Sequence, residues 1–235
     1  MITELVIGDV TVDVLFKDIK NVHLSVYPPT GRVRVSAPRR MSLSNVRLFA
    51  LSKIGWIRKH QGKVRRQPRE TPREYLERES HYLWGRRYLL TVDESGPKPR
   101  VQLSNRIIEL TVPVGATLEF RRDVLSDWYR EELRKNAEPI VLKWARRLDV
   151  DLKKFYVQRM KTKWGSSNPA RRTIRLNLEL AKHATECLDY VALHEMAHFI
   201  VPNHSQRFRE LLDRQMPGWV HVRNRLNERP LPAFD

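Results

Sequence analysis

The chain has 235 residues, 41% of them apolar, which suffices for one large domain or two small ones with a buried core. Lys and Arg number 44 against 27 Asp and Glu, a formal net charge of +17, which predicts attraction to polyanions and salt dependence of any such contact. The single cysteine, Cys187, excludes an intrachain disulfide and a cysteine-built zinc knuckle, and no apolar run approaches the ~20 residues of a membrane helix.

The opening "MITELVIGDVTVDVLF" carries acids early and lacks the basic start and apolar block of a secretory signal, so a cytoplasmic location and no membrane partner are expected. Its period-two alternation around Gly8-Asp9 predicts a β-hairpin. "VHLSVYPPTGRVRVSAP" repeats the pattern around Pro28-Pro29-Thr30-Gly31, with Val33 and Val35 on one face and Arg32 and Arg34 on the other. A helix follows through "NVRLFALSKIGWIRKHQGKV", with Ser42 or Ser44 as its cap. "KVRRQPRETPREYLERES", broken by Pro68 and Pro72, reads as a linker.

Short strands are expected next, with turns at Gly85, Gly96-Pro97 and Asn105. Asp123 to Asp149 reads as one long helix kinked or restarted at Pro139, burying Val124, Trp128, Leu133, Ile140, Leu142 and Trp144. "FYVQRMKTKWGSSNPARRTIRLNLEL" suggests two strands around a turn at Gly165–Pro169. "TECLDYVALHEMAHFIV" is a helix with Thr185 as cap, Glu186 and Asp189 in its positive first turn, and Pro202 as its stop. Ser205 then caps a second helix, "SQRFRELLDRQM".

The chemistry concentrates in "VALHEMAHFIVPNHSQRF". His194 and His198 are four residues apart, so on a helix they project from one face and can share one Zn²⁺. Glu195, beside the first histidine, swings to the side of the metal, where it suits a general base for a metal-activated water. A third ligand is required, and His204 is the candidate: Pro202 breaks the helix and Asn203 tolerates the left-handed turn that would bring it back. H-E-x-x-H alone recurs by chance, but here helix-start residues precede it and a third histidine follows. His23, His60, His81, His183 and His221 have no partner at ligand spacing, with His183 and His221 the reserves. The ligand spacing also matches the metzincin pattern, but Val201 occupies its glycine position and Met216 ends a helix instead of forming a Met-turn.

"RMKTKWGSSN", "IRLNLEL", "LHEMAHFIVPNHSQRF" and "MPGW" resemble the YgjP-like family of metal-dependent hydrolases, related to SprT-like and minimal gluzincin metallopeptidases. "NVHLSVYPPTGRVRVSAP" and "IGWIRKHQGK" resemble the family's front region. The resemblance implies an α+β fold: an N-terminal β-rich region with a helix, then a compact zincin-like core with the active-site helix beside a small antiparallel sheet. It implies His194, His198 and His204 as zinc ligands with Glu195 as base. The family turn "WGSC" reads "WGSS" here, so Ser167 removes any thiol chemistry at that point. The expected regions are 1–70 (basic, β-rich, with a helix), 71–120 (β-rich) and 121–235 (metallopeptidase core).

"MKTKWGSS" supplies candidate substrate-binding residues, Lys163, Trp164, Gly165 and Ser166, because a strand edge beside a zinc cleft can pair with an extended peptide. Trp164 as a core aromatic and Gly165 as a plain turn is the structural alternative. Lys161, Lys163 and Tyr156 are the candidate oxyanion donors. The leading expectation is a zinc-dependent metallopeptidase acting on polypeptide, with nonspecific DNA or other nucleic-acid contact through the basic surface. The competing expectation is a metal-dependent phosphoester hydrolase, a nuclease or nucleotide pyrophosphatase, motivated by "KHQGKVRRQPR", "WARRL" and "RRTIR". A three-histidine site would also accept Ni²⁺, Co²⁺ or Cu²⁺.

Overall fold

The computed structural model describes residues 2–27, 30–66, 74–160 and 162–228. They fall into two compact units, one within residues 1–70 and one within 71–233. Pro28, Pro29, Lys161 and the linker prolines Pro68 and Pro72 lie outside the described residues.

In the first unit, β1 (Ile2–Ile7) and β2 (Val10–Lys17) form the expected hairpin, and Gly8 supplies the positive φ of +59° that its turn needs. β3 (His23–Tyr27) and β4 (Arg32–Pro38) complete a sheet ordered β1-β2-β4-β3, with β2 and β4 parallel. Val12 pairs with Val33 and Val14 with Val35, all four buried, as the alternation requires. Buried Asp13 is neutralised by Arg32, whose Nε donates to Oδ2 at 2.5 Å. The expected single helix is two: α1 (Leu43–Ser52), capped by Ser42, whose Oγ accepts from Asn45 N at 3.2 Å, and α2 (Ile54–Arg66). At the break the Ser52 hydroxyl donates to Phe49 O at 2.8 Å, a side-chain bond that competes with helix continuation.

The second unit begins with β5 (Ser80–Leu83), β6 (Arg86–Asp93), β7 (Arg100–Ser104) and β8 (Ile107–Thr111), ordered β5-β6-β8-β7. α3 (Leu118–Arg147) starts earlier than the sequence pattern suggested, capped by Thr117, and runs through Pro139 without a restart. Pro139 is exposed, so the carbonyl it leaves unpaired can reach water. The buried face is also rotated from the expected one. Leu125, Tyr129, Leu133, Ala137, Val141 and Trp144 are buried, while Val124, Trp128 and Ile140 are half-buried and Leu142 is 48% exposed. Apolar residues come in adjacent pairs along this helix, so periodicity alone fits either face. Tyr129 helps fix the choice by donating its hydroxyl to Tyr82 O at 2.9 Å.

β9 (Lys154–Gln158), β10 (Gly165–Asn168) and β11 (Thr173–Asn177) form the sheet beside the motif helix. Of the segment read as a turn, Gly165–Pro169, residues Gly165–Asn168 are a strand, and the reversal falls at 169–172. β10 and β11 are antiparallel, but β9 joins β11 in parallel, so this sheet is mixed. A 3-10 helix (Leu178–Lys182) leads into α4 (Thr185–Ala197), then α5 (Gln206–Gln215) and α6 (Trp219–Glu228).

α4 is buried nearly all round, by Leu188, Val191, Ala192, Leu193 and Met196 among others, as a helix at the centre of a core must be. Ala184, not Thr185, occupies its N-cap position, and no side chain caps it there. Asp189 ties it to α3 by accepting from Lys143 Nζ and Trp144 Nε1, each at 2.6 Å. Leu90 and Ile108 of the β5-β6-β8-β7 sheet share one core with Leu133, Leu176 and Leu193, so 71–120 and the following segment form one body. Among the described residues, no helix is long and apolar enough to cross a membrane.

Candidate metal centre

α4 ends at Ala197, short of Pro202, and His198 sits at its C-cap with helical backbone angles. His194 and His198 therefore still share one helix face. Turns through Phe199, Ile200 and Val201 then reverse the chain, their N–H groups bonding back to Met196 and Ala197 carbonyls at 2.9–3.1 Å. The reversal carries His204 back over the helix. One ligand nitrogen from each of the three imidazoles lies within 4.8 Å of the others, and His194 Nε2 is 3.0 Å from His204 Nε2.

The tautomers follow from the second ring nitrogens. His198 Nδ1 lies 3.2 Å from Val201 O, which only accepts, so Nδ1 carries the proton and Nε2 keeps its lone pair. His194 Nδ1 lies 3.4 Å from the Tyr190 hydroxyl, leaving its Nε2 to the cluster. Burial, together with the neighbouring His198, His204 and Arg223, lowers the His194 pKa to about 4, and burial lowers that of His198. Two imidazole nitrogens facing each other at 3.0 Å need a cation or a proton between them. The donor set fits a borderline-soft divalent ion such as Zn²⁺, with no carboxylate among its members.

Glu195 packs against β10 and lines the same cleft as the three imidazoles. It is buried, and burial pushes its pKa up to about 7, opposed by a hydrogen bond from the Ser167 side chain and by the charge of Lys163. Gly165 makes room for it: a Cβ there would lie 2.6 Å from Glu195 Oε1 and 2.7 Å from Cγ. Gly165 is therefore an obligatory gap beside a carboxylate, not a plain turn residue.

These groups open onto one cleft of about 610 Å³. Lys163, Trp164, Gly165 and Ser166, the candidate substrate-binding residues, all line it. Tyr156 does not: it stands on edge strand β9, its ring flanked by Lys154 Nζ at 5.2 Å and Arg175 Cζ at 5.7 Å. His183 is buried edge-on against Trp164, and His221 is exposed on α6; neither joins the cluster.

Sequence reasoning missed Tyr190, Ser167, Arg223 and Asn227, which also line the cleft or act on its groups. Tyr190 was legible, four residues before His194 on the same helix face. Ser167 was legible only once 165–168 is read as a strand, where residues two apart share a face. Arg223 and Asn227 arrive on α6, and nothing local in the sequence links them to the motif.

The YgjP-like metallopeptidase domain matches residues 20–229. The chain belongs to the YgjP-like family. This YgjP-like protein is thus a metal-dependent hydrolase of the metallopeptidase class. Its chain is also similar to the solved metallopeptidase zymogen of Pyrococcus abyssi abylysin, at 19% identity and a TM-score of 0.37, covering 40% of this chain and 98% of that one. It is similar to the zymogen of Methanocaldococcus jannaschii jannalysin at 24% identity and a TM-score of 0.36, covering 39% and 87%. No curated protein matches the chain.

Proposed function

We propose that the chain is a zinc-dependent metallopeptidase in which His194, His198 and His204 hold Zn²⁺ and Glu195 is the general base. When bound, the metal supplies Lewis-acid polarisation of the scissile carbonyl and makes the attacking water more acidic. Glu195 accepts the proton of that water and passes it to the leaving amine, work that suits a carboxyl group whose pKa is raised to about 7. Ser167 orients the Glu195 carboxylate and Gly165 leaves it space. β10, an edge strand lining the cleft, offers main-chain groups to an extended substrate, with Lys163, Trp164 and Ser166 as its side-chain contacts.

The observation that carries the reading is the convergence of three imidazole nitrogens within 4.8 Å beside one buried glutamate. Its test is an unfolded polypeptide incubated with zinc-loaded protein. Glu195→Gln should keep metal and lose cleavage, and His194→Ala should lose both. Cleavage retained by Glu195→Gln removes the base assignment.

The surplus of cations, 44 against 27 acids, favours one further reading, attraction to nucleic acid. It would direct the peptidase to DNA-associated polypeptides. Among the described residues only one metal-binding cluster occurs, and it lacks the carboxylates of a two-metal phosphodiesterase. A DNA pool added to the same assay tests phosphoester hydrolysis: DNA cleavage alone, lost in Glu195→Gln, would reassign the site. Metal identity is tested alongside, by comparing turnover with Zn²⁺, Ni²⁺ and Co²⁺.

A further inference from the structure

The cleft holds two cationic side chains, and they serve different walls. Lys163 precedes β10 and acts on Glu195. Arg223 comes from α6 on another wall, where its charge is felt at His194 and Tyr190 but is not among the influences on Glu195.

Arg223 is held by stacking and not by a carboxylate. Trp219 Nε1 donates to Asp213 Oδ1 at 2.7 Å, which fixes the indole. The Tyr190 ring stacks parallel to that indole at 6.0 Å, and the Arg223 guanidinium lies over it at 5.1 Å. Among the described residues no acid pairs with Arg223, whereas Arg225 on the same helix is ion-paired with Glu186. Arg223 Nη2 donates to Asn224 Oδ1 at 3.4 Å, and a stacked guanidinium keeps its remaining in-plane N–H donors available for an oxygen. Asn227, one turn further along α6, donates Nδ2 to Arg223 O at 2.8 Å and accepts from Trp164 Nε1 at 3.3 Å, which joins this wall to the β10 side.

Carbonyl attack needs a base on the side of the water and a donor on the side of the oxygen that becomes negative. Glu195 occupies the first position. Tyr190 is engaged with His194 at 3.4 Å, and Tyr156 lies outside the cleft, which leaves Arg223 for the second. We propose that Arg223 is a catalytic residue of this site, donating hydrogen bonds to the scissile carbonyl oxygen as it takes up negative charge. This rests on the peptidase reading above.

The test compares zinc-loaded wild type, Arg223→Gln and Arg223→Lys on fluorescein-labelled casein, with zinc content measured for each. Arg223→Gln should lower kcat about 100-fold with KM within about twofold and zinc content unchanged. Arg223→Lys should recover part of the loss, and added guanidinium should partly rescue an Arg223→Ala variant. A second readout is binding of a phosphinic peptide, whose tetrahedral oxygens mimic the attacked carbonyl. Arg223→Gln should weaken it by a similar factor and leave binding of the plain peptide intact. Unchanged kcat, an effect confined to KM, or loss of zinc in Arg223→Gln would overturn the proposal. If wild type cleaves no polypeptide, the peptidase reading fails by itself, and equal phosphinic-peptide binding by wild type and Arg223→Gln then rejects the role of Arg223 separately.

Discussion

Gly165 and Glu195 are packed so closely that a single added carbon at residue 165 would lie 2.6 Å from the carboxylate oxygen. Gly165 belongs to β10 and Glu195 to α4, so strand and helix approach at the proposed general base. Gly165→Ala should therefore displace Glu195 without touching the imidazoles. Cleavage should fall at least ~10-fold and stability by about 1–3 kcal/mol, the usual cost of overpacking. Zinc content should stay at the wild-type level, and a drop in it would mean that the clash spreads beyond the carboxylate.

Tyr190 fixes the ring of His194 through a contact of 3.4 Å to Nδ1. Partners of this kind orient a ligand imidazole and typically account for 10–100-fold in metal affinity. Tyr190→Phe should weaken zinc binding by about that factor, measured by chelator competition, with the fold intact by circular dichroism. Unchanged affinity would show that Phe208, edge-on to His194 at 5.0 Å, suffices to hold the ring.

Asn177 uses all its side-chain bonding capacity, three bonds on the segment ahead of β10 and one on the 3-10 helix that follows β11. Its Nδ2 donates to Met160 O at 2.8 Å and Lys163 O at 2.7 Å, and its Oδ1 accepts from Met160 N at 3.3 Å and Glu179 N at 3.2 Å. Asn177→Ala strands those backbone groups, for a loss of about 1–3 kcal/mol. Thermal melting should register this at ~2–4 °C per kcal/mol for a domain of this size. KM for casein should rise as the Lys163–Trp164 wall loosens, while zinc binding holds.

Nucleic-acid contact through the positive surface is a phosphate effect, so retention on a duplex DNA column should fall steeply between 50 and 200 mM salt. Retention that ignores salt in that range would assign the surplus cations to ordinary solvation.

The three-histidine cluster was legible in the sequence because its information is local: two histidines one helical turn apart, a proline stop and a third histidine within reach. Strand pairs in the first unit were legible for the same reason, since alternation and a Gly8-Asp9 turn determine register over a few residues. What failed was non-local. The face of α3 depends on which of two adjacent apolar residues meets the sheet, as with Trp128 and Tyr129. Gly165–Ser167 looks like turn chemistry until β11 pairs with it, and Arg223 enters the cleft only because α6 packs against α4. The expected cap at Thr185 failed because burial of the whole helix outweighs a single terminal hydrogen bond.

All three candidate ligands lie within the eleven residues from His194 to His204, whereas the wall that positions Glu195 and the helix that brings Arg223 come from elsewhere in the chain. With the proposed ligands and base, holding metal and turning over substrate are separable properties. A preparation damaged around β10 or α6 would still bind its full complement of zinc and be inert. For this protein, metal stoichiometry counts filled sites, and only titration with a mechanism-based inhibitor counts working molecules.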